Sequence, residues 1–381
     1  MQILPVASGK GGVGKSLVAT NLAVALGQYG KNVVLADLDL GASNLHLILG
    51  QGGIRTGIGT FLSNKNTDFD EIILPTDYKN LRFIPGDAEI PGIANLSSGQ
   101  KSKLIRRLYT IDADYLVVDL GAGTNYNTLD FFLTSSRGLI ITTSTLTATL
   151  NAYLFLKNAV FRLMNNTFKK GTPAYDFINK MKQDGGQLQR IYIPKLLERI
   201  ALEDRESYDR FHEIMRSFRP MLIMNMLEDP KEAKKAEKLR RSCQEYLGVQ
   251  IEHMGILYFD HLQEIAQSSR IPIAAYKPDS VLSQAVFRIA DKIIQQHNET
   301  EGSFMDMEGV EQSFAVAEME AEIDFEFKTH DLENLLHSGA LTRGDLIETI
   351  KAQQYEIQTL KKENQFLKSK LLKAAEMGYE V

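Results

Sequence analysis

The sequence predicts a doubly wound α/β fold around a mostly parallel sheet, and three stretches carry that expectation. The first is a glycine loop, Ser8-Gly9-Lys10-Gly11-Gly12-Val13-Gly14-Lys15-Ser16, set between an apolar run, Ile3 to Ala7, and a helix-like run, Leu17 to Leu26. The other two are apolar runs that end in an acid, Val33-Val34-Leu35-Ala36-Asp37 and Tyr115-Leu116-Val117-Val118-Asp119. Unbroken apolar runs suit strands buried on both faces, and in such sheets the carboxyl ends of the strands deliver polar groups to a ligand.

Gly9 through Ser16 satisfies G-x-x-x-x-G-K-[ST] in its required strand–loop–helix setting. The backbone N–H groups from Gly9 to Leu17, Gly11, Gly12, Val13 and Gly14 among them, can converge on phosphate oxygens where a helix N-terminus already favours an anion. Lys15 is then expected to neutralise the terminal phosphates, and Ser16 to hold Mg²⁺. The additional lysine, Lys10, makes K-G-G-V-G-K-S. This resembles the deviant loop of the MinD/ParA family of ATPases. The resemblance implies a SIMIBI-type P-loop fold, ATP and Mg²⁺ as ligands, a homodimer that sandwiches two nucleotides, and a Lys10 that reaches the partner's phosphates.

Asp37-Leu38-Asp39-Leu40-Gly41-Ala42-Ser43-Asn44-Leu45 follows the second strand. The resemblance makes it the first switch, with Asp39 orienting the attacking water, a role that needs an acceptor fixed near the γ-phosphate. Asp39 could instead cap the short helix beginning near Asn44. Leu81 to Gly86 is expected as a strand and Gln100 to Tyr109 as an amphipathic helix whose Lys101, Lys103, Arg106 and Arg107 form a solvated face. The strand ending at Asp119 continues into Leu120-Gly121-Ala122-Gly123. In the family this is the second switch, Asp119 binding Mg²⁺ through water and the glycines letting the loop move.

Gly138 to Thr143 is a further strand, Ala148 to Met164 the helix after it, and Pro220 to Asn225 another strand. Asn225 matches a position that hydrogen-bonds the nucleotide base in several relatives, and asparagine offers the donor and the acceptor an adenine edge requires. It could equally cap the helix near Asp229. Residues 165–217 form an insertion relative to compact MinD and ParA proteins, with a loop-like Gln183-Asp184-Gly185-Gly186 and a charged helical run from Pro194 to Phe218. It reads as a peripheral flap or as a docking arm. Lys231 to Tyr246 is a basic helix interrupted by Glu232, Glu237 and Glu245, which favours a solvated face over a DNA- or lipid-binding one. Tyr258-Phe259-Asp260 stands where relatives place a base-pocket turn, so Asp260 is expected beside the base. Val281 to Ile294 carries an apolar stripe that should pack a last helix on the sheet.

A P-loop domain is thus expected over residues 1–297. From Glu299 to Glu333 there are twelve Asp/Glu and a single lysine, which suggests a flexible acidic linker over 298–333. Over 334–376 Ile350, Ile357, Asn364 and Leu371 repeat every seven residues, with Leu346, Gln353, Leu360, Leu367 and Ala374 three residues later. That is a coiled-coil seam, expected to self-associate, bind a partner, or fold back on its own domain.

The whole chain has 381 residues, 44% hydrophobic, and a net charge of −5, so it does not advertise a global DNA-binding surface. The single cysteine, Cys243, excludes a C-x-x-C metal site made by one chain, and with it an iron–sulfur carrier unless two chains share a cluster. The chain starts directly on its first strand, and neither a signal peptide nor a transmembrane helix is expected, which suggests a cytoplasmic protein, peripheral at a membrane at most. Within the family, Leu116 to Thr124, Asn225-Met226, and Leu257 to Asp260 with Ile271-Pro272-Ile273 resemble the FlhG/FleN branch, regulators of flagellar number and placement. That branch implies a regulatory partner, a flagellar GTPase or a transcription regulator. The chain departs from it in having no extension before the first strand and no amphipathic membrane helix directly after the ATPase domain. DNA partition of the ParA kind and division-site positioning of the MinD kind are the alternatives.

Overall fold

Strand β1 (Gln2–Ala7) is buried along nearly its whole length and runs into the glycine loop, after which helix α1 (Lys15–Gln28) begins. The computed structural model describes residues 1–52, 56–64, 66–86, 95–183, 192–298, 307–337 and 343–376. In chain order there follow β2 (Val33–Leu38), α2 (Leu45–Ile48), α3 (Ile58–Ser63), β3 (Leu74–Pro75), β4 (Leu81–Ile84), α4 (Ser98–Leu108), β5 (Tyr115–Leu120), α5 (Tyr126–Phe132), β6 (Leu139–Thr142) and α6 (Leu146–Thr167). Then come α7 (Pro173–Gln183), α8 (Ile193–Glu203), α9 (Arg205–Ser217), β7 (Met221–Leu227), α10 (Lys234–Ser242), β8 (Glu252–Tyr258), α11 (His261–Ser268), α12 (Ile273–Tyr276), α13 (Val281–Asn298), α14 (Met307–His337) and α15 (Arg343–Glu376).

The eight strands are ordered β3-β4-β2-β5-β1-β6-β7-β8. All neighbours are parallel except β3 and β4. The chain first builds outward from β1 through β2 and β4, returns at β5, and then extends the other way through β6 to β8. The carboxyl end of β1 therefore lies at the reversal of strand order, where open α/β sheets bind ligands. Side chains alternate between two cores. Ile3, Ala7, Val34, Ala36, Leu116 and Val118 face one, whereas Leu4, Val6, Val33, Leu35 and Val117 face the other. Helix α13 buries Leu282, Ala285, Val286, Ile289, Ala290 and Ile293 against the second core, as its stripe requires.

The insertion folds as helices on the first core. Phe168, Ala174, Ile178, Ile193, Leu196, Ile200 and Phe211 are buried there. The charged run expected from Pro194 to Phe218 is two helices, split at Asp204, whose carboxylate accepts the Ser207 N–H and caps α9. The expected Asp184-Gly185-Gly186 loop lies outside the described residues. On α4, two of the four expected solvated cations are engaged. Lys101 pairs with Asp130, and Lys103 lies over the Phe61 ring, 3.9 Å from its centroid.

The expected flexible linker also differs from what is observed. Residues 299–306 lie outside the described residues, but from Met307 the chain is helical. Val310, Ala317 and Ala321 are buried, and Phe314 and Phe325 pack against the first core. Positions 310, 314, 317, 321 and 325 make a helical stripe that the acidic composition concealed. The intervening acids meet cations: Glu320 with Lys292 at 2.6 Å, Glu311 with Arg240 at 3.5 Å, and Asp324 with Arg288. One compact unit accordingly runs from Met1 to Phe325, past the expected boundary at 297, and a second from Glu326 to Val381. In the second unit, α15 covers the heptad stretch with Ile357, Leu360 and Leu367 exposed.

Candidate functional site

The glycine loop leaves β1 and enters α1 through two residues in the left-handed region, Gly12 (φ 78°) and Gly14 (φ 80°). Only glycine adopts that backbone without strain, and it turns successive N–H groups to one side. Gly9 is required by space: a Cβ there would lie 2.0 Å from the Asn151 carbonyl of α6. The loop is tied to its surroundings by side chains and by the loop after β5. Asn225 Nδ2 donates to the Val13 carbonyl at 2.9 Å, Ser8 Oγ donates to the Lys10 carbonyl at 2.9 Å, and the Gly123 N–H donates to the Ser8 carbonyl at 3.1 Å. Lys10 is exposed, its Nζ 3.4 Å from Thr147 Oγ1 on α6.

Behind the loop lies a buried charge cluster. Lys15 Nζ is 2.5 Å from Asp119 Oδ1 and donates to Ser16 Oγ at 3.3 Å. Burial raises the Asp119 carboxyl above its ordinary range although Lys15 pulls it down. Asp37, its cross-strand neighbour, is pushed up to about 7 by burial and by the Asp119 charge. Two buried acids thus face a shortage of positive charge, which suits a site completed by a divalent cation. Among the described residues no group of three or more His, Cys, Asp or Glu side chains is placed to hold a metal. Ser16 and Asp119 would hold Mg²⁺ only with phosphate oxygens and water filling the rest of its octahedron, the usual arrangement for this ion.

Asp37, expected only as the acid that ends β2, organises the loop that follows it. Its carboxylate accepts from Ser43 Oγ at 2.6 Å, from the Asp39 N–H at 3.1 Å and from the Leu45 N–H at 3.2 Å, so it ties down the loop after β2. The signal was its place at the end of a buried strand, two residues before another acid. Because Asp37 takes the Leu45 N–H, and Asn44 is the N-cap with no side-chain cap bond, Asp39 does not cap α2. Its carboxylate lies against Gly121, where a Cβ would come within 3.2 Å of Oδ1. The loops after β2 and β5 therefore meet at Asp39.

A second recess opens beside α1. Its cavity of about 160 Å³ is lined by Leu17, Asn225, Tyr258 and Asp260, and by Gln263 and Gln267 of α11. Asn225 and Asp260, 35 positions apart in the chain, come together here because β7 and β8 are neighbours. Asn225 does not cap the next helix; Asp229 does so, accepting the Lys231 N–H at 2.8 Å. Asp260 also caps α11, accepting from the Leu262 N–H at 2.9 Å. The two glutamines of α11 could not be singled out in sequence, since nothing in a short polar helix marks which face meets a cavity.

Comparison with known proteins agrees with this geometry. Residues 1–159 match a ParA-type family model described as NUBPL iron-transfer P-loop NTPase. The chain is 31% identical over 159 residues to the antiactivator FleN of Pseudomonas aeruginosa, covering 41% of this chain and 56% of that protein. It is 28% identical over 230 residues to the flagellum site-determining protein YlxH of Helicobacter pylori, 58% of this chain and 76% of that one. With the septum site-determining protein MinD of Helicobacter pylori it shares 27% identity over 185 residues, 48% and 68% respectively. Among solved structures, MinD from Pyrococcus horikoshii complexed with Mg-ADP superposes with a TM-score of 0.55 at 18% identity, covering 79% of this chain and 99% of that one. A ParA family ATPase from Chlorobium tepidum gives a TM-score of 0.51 at 20% identity, covering 76% and 98%. The match to FleN thus spans little more than half of that relative's length. The loop with its extra lysine, the sheet order and these likenesses converge on one resemblance: over residues 1–159 the chain is similar to ParA-type P-loop NTPases, with FleN, YlxH and MinD among the relatives it matches.

Proposed function

We propose that this protein is an ATP-dependent switch that dimerises on Mg-ATP, hydrolyses it slowly, and takes part in placing a structure within the cell, the flagellum in the first instance. The single observation that carries this reading is the convergence of the Gly9–Ser16 loop, the Lys15–Asp119 pair and Asp39 at the reversal point of the sheet. Backbone amides and Lys15 hold the phosphates, Ser16 and Asp119 hold the cation, and Asp39 orients water against the switch glycines. Bound Mg²⁺ supplies charge neutralisation at the phosphates. Asn225, with Asp260 nearby, reads the base.

Two features support closure by a second copy. Lys10 is exposed at the rim, and beside it on α6 Leu146, Leu150 and Leu154 form an exposed apolar stripe at helical spacing. Such a stripe on a surface helix marks an association face. The name of YlxH, a flagellum site-determining protein, favours a flagellar setting, and that of MinD a septum-site one. Iron transfer, named in the family description, is not favoured here: the single cysteine, Cys243, is buried. Nor does the basic helix α10 favour DNA, because Arg240 is buried against Glu237 and Glu311.

The test is the Asp39→Ala variant with Mg-ATP. It is expected to bind ATP with wild-type affinity, to lose at least tenfold in turnover, and to accumulate as a dimer in sedimentation. Turnover at the wild-type rate would remove Asp39 from its role, and no calorimetric heat with Mg-ATP in the wild type would overturn the nucleotide reading.

A further inference from the structure

The acidic helix α14 is joined to the base pocket by one side chain. Tyr258, the last residue of β8, lines the cavity with Asn225 and Asp260. Its hydroxyl donates to the Ala321 carbonyl of α14 at 2.8 Å, and its ring lies 5.8 Å from that of Phe325. Strand β8 is the outer strand of the sheet, with β7 its neighbour in the ladder. That ladder is irregular in two places, between Leu222 and Ile223 and again between Met224 and Leu227, beside Asn225. The strand that walls the pocket is therefore held imperfectly from inside the sheet.

Helix α14 holds it from outside. The His253 N–H donates to Ser313 Oγ at 3.1 Å. Lys292 donates to the Met254 carbonyl at 3.1 Å and to Glu320 at 2.6 Å, bridging strand and helix. Arg288 pairs with Asp324. The apolar part of this contact is Val310, Ala317 and Ala321, which are buried, with Phe314 and Phe325 half-buried against the core, and ion pairs flank it along the helix. A contact built this way can open without unfolding the sheet.

We propose that the docked half of α14 is a cis-acting clamp on the base pocket, so that docking of the helix and binding of the nucleotide strengthen one another. This rests on the reading of that recess as the base site. With α14 in place, Tyr258 is fixed and the pocket is preformed; with α14 released, β8 must be ordered by the ligand itself. Linkage makes the effect reciprocal: whatever α14 adds to nucleotide affinity, nucleotide adds to the docking of α14.

The experiment uses the full chain and Mg-ADP, which avoids turnover. Glu320→Lys with Asp324→Arg sets cations against Lys292 and Arg288, outside the pocket lining. Calorimetry is expected to give a Kd about tenfold weaker in this double variant, within the usual range of coupling. Tyr258→Phe, which keeps the ring and drops the hydroxyl, is expected to fall between it and the wild type. In the wild type, amide exchange across residues 310–325 is expected to slow when Mg-ADP is added. A wild-type Kd in a double variant whose 310–325 amides exchange freely would overturn the clamp. So would nucleotide heat in the wild type with no change in that exchange, a measurement that stands even if the double variant fails to fold. Absence of any heat in the wild type would instead overturn the nucleotide site itself and the coupling with it.

Discussion

Gly9 and Gly11 stand two positions apart in one loop and answer to different constraints. A Cβ on Gly9 would strike the Asn151 carbonyl at 2.0 Å, and a backbone carbonyl in a packed helix cannot step aside cheaply. A Cβ on Gly11 would meet nothing within 4 Å, and its φ is not in the left-handed region. Gly9→Ala is therefore expected to lower the stability of the nucleotide-free protein by about 1–3 kcal/mol, the usual cost of overpacking. Gly11→Ala should leave it within about 0.5 kcal/mol of wild type, as for other substitutions away from packed features. Denaturant melts of the two variants side by side check this, and equal losses would show that the loop does not sit on α6 as described. The sequence motif marks both glycines alike. What it cannot show is that a residue 142 positions later supplies the wall, because that depends on which helix the topology lays beneath the loop.

At the scale of elements, strands and helices of the sheet were legible because burial on both faces leaves an unbroken apolar signature, as in β2 and β5, and because α13 carries its stripe openly. Helix α14 was not, since its packing face is short and interleaved with acids that find their cations only in three dimensions. One consequence is a pH dependence. His253 on β8 lies wholly buried against Phe314 of α14, neither ring nitrogen has a hydrogen-bond partner, and burial with the nearby Lys292 charge lowers its pKa to about 3. Arg240 from α10 and Glu311 and Glu318 from α14 line the same side. In the unfolded chain the imidazole titrates near its ordinary 6.5, so between about pH 6.5 and 3 the unfolded state binds more protons than the folded one. Stability is thus fully present above 6.5 and is lost as pH falls, by about 1.4 kcal/mol at pH 5.5 for this group alone. His253→Leu is expected to flatten that part of the melting-temperature profile between pH 7 and 5. An unchanged slope would place the histidine in water rather than under α14.

At the scale of the whole molecule, the glycine loop carries an exposed cation at its rim. Lys10 is exposed while Lys15 is buried on Asp119, so the two lysines of one loop face different clients. The stripe of Leu146, Leu150 and Leu154 starts one residue from Thr147, which Lys10 meets, so the apolar face and the exposed lysine share one surface. A closing copy would bury both together, which separates two effects that binding studies usually merge. Leu150→Glu puts a charge into the stripe and leaves the phosphate cradle intact. It is expected to bind Mg-ATP with unchanged affinity yet to weaken ATP-dependent dimerisation by 10-fold or more, roughly the cost of burying an unpaired carboxylate. Lys10→Ala should give the same separation, binding kept and association lost, under the proposal that Lys10 serves the partner's phosphates. Sedimentation velocity with and without Mg-ATP, in the Asp39→Ala background to prevent turnover, reads both. Association at wild-type strength in both variants would move the closing surface elsewhere on the molecule. Any association seen without nucleotide belongs to a different element: it should follow the Ile357, Leu360 and Leu367 seam of α15, and should persist in the Leu150→Glu variant.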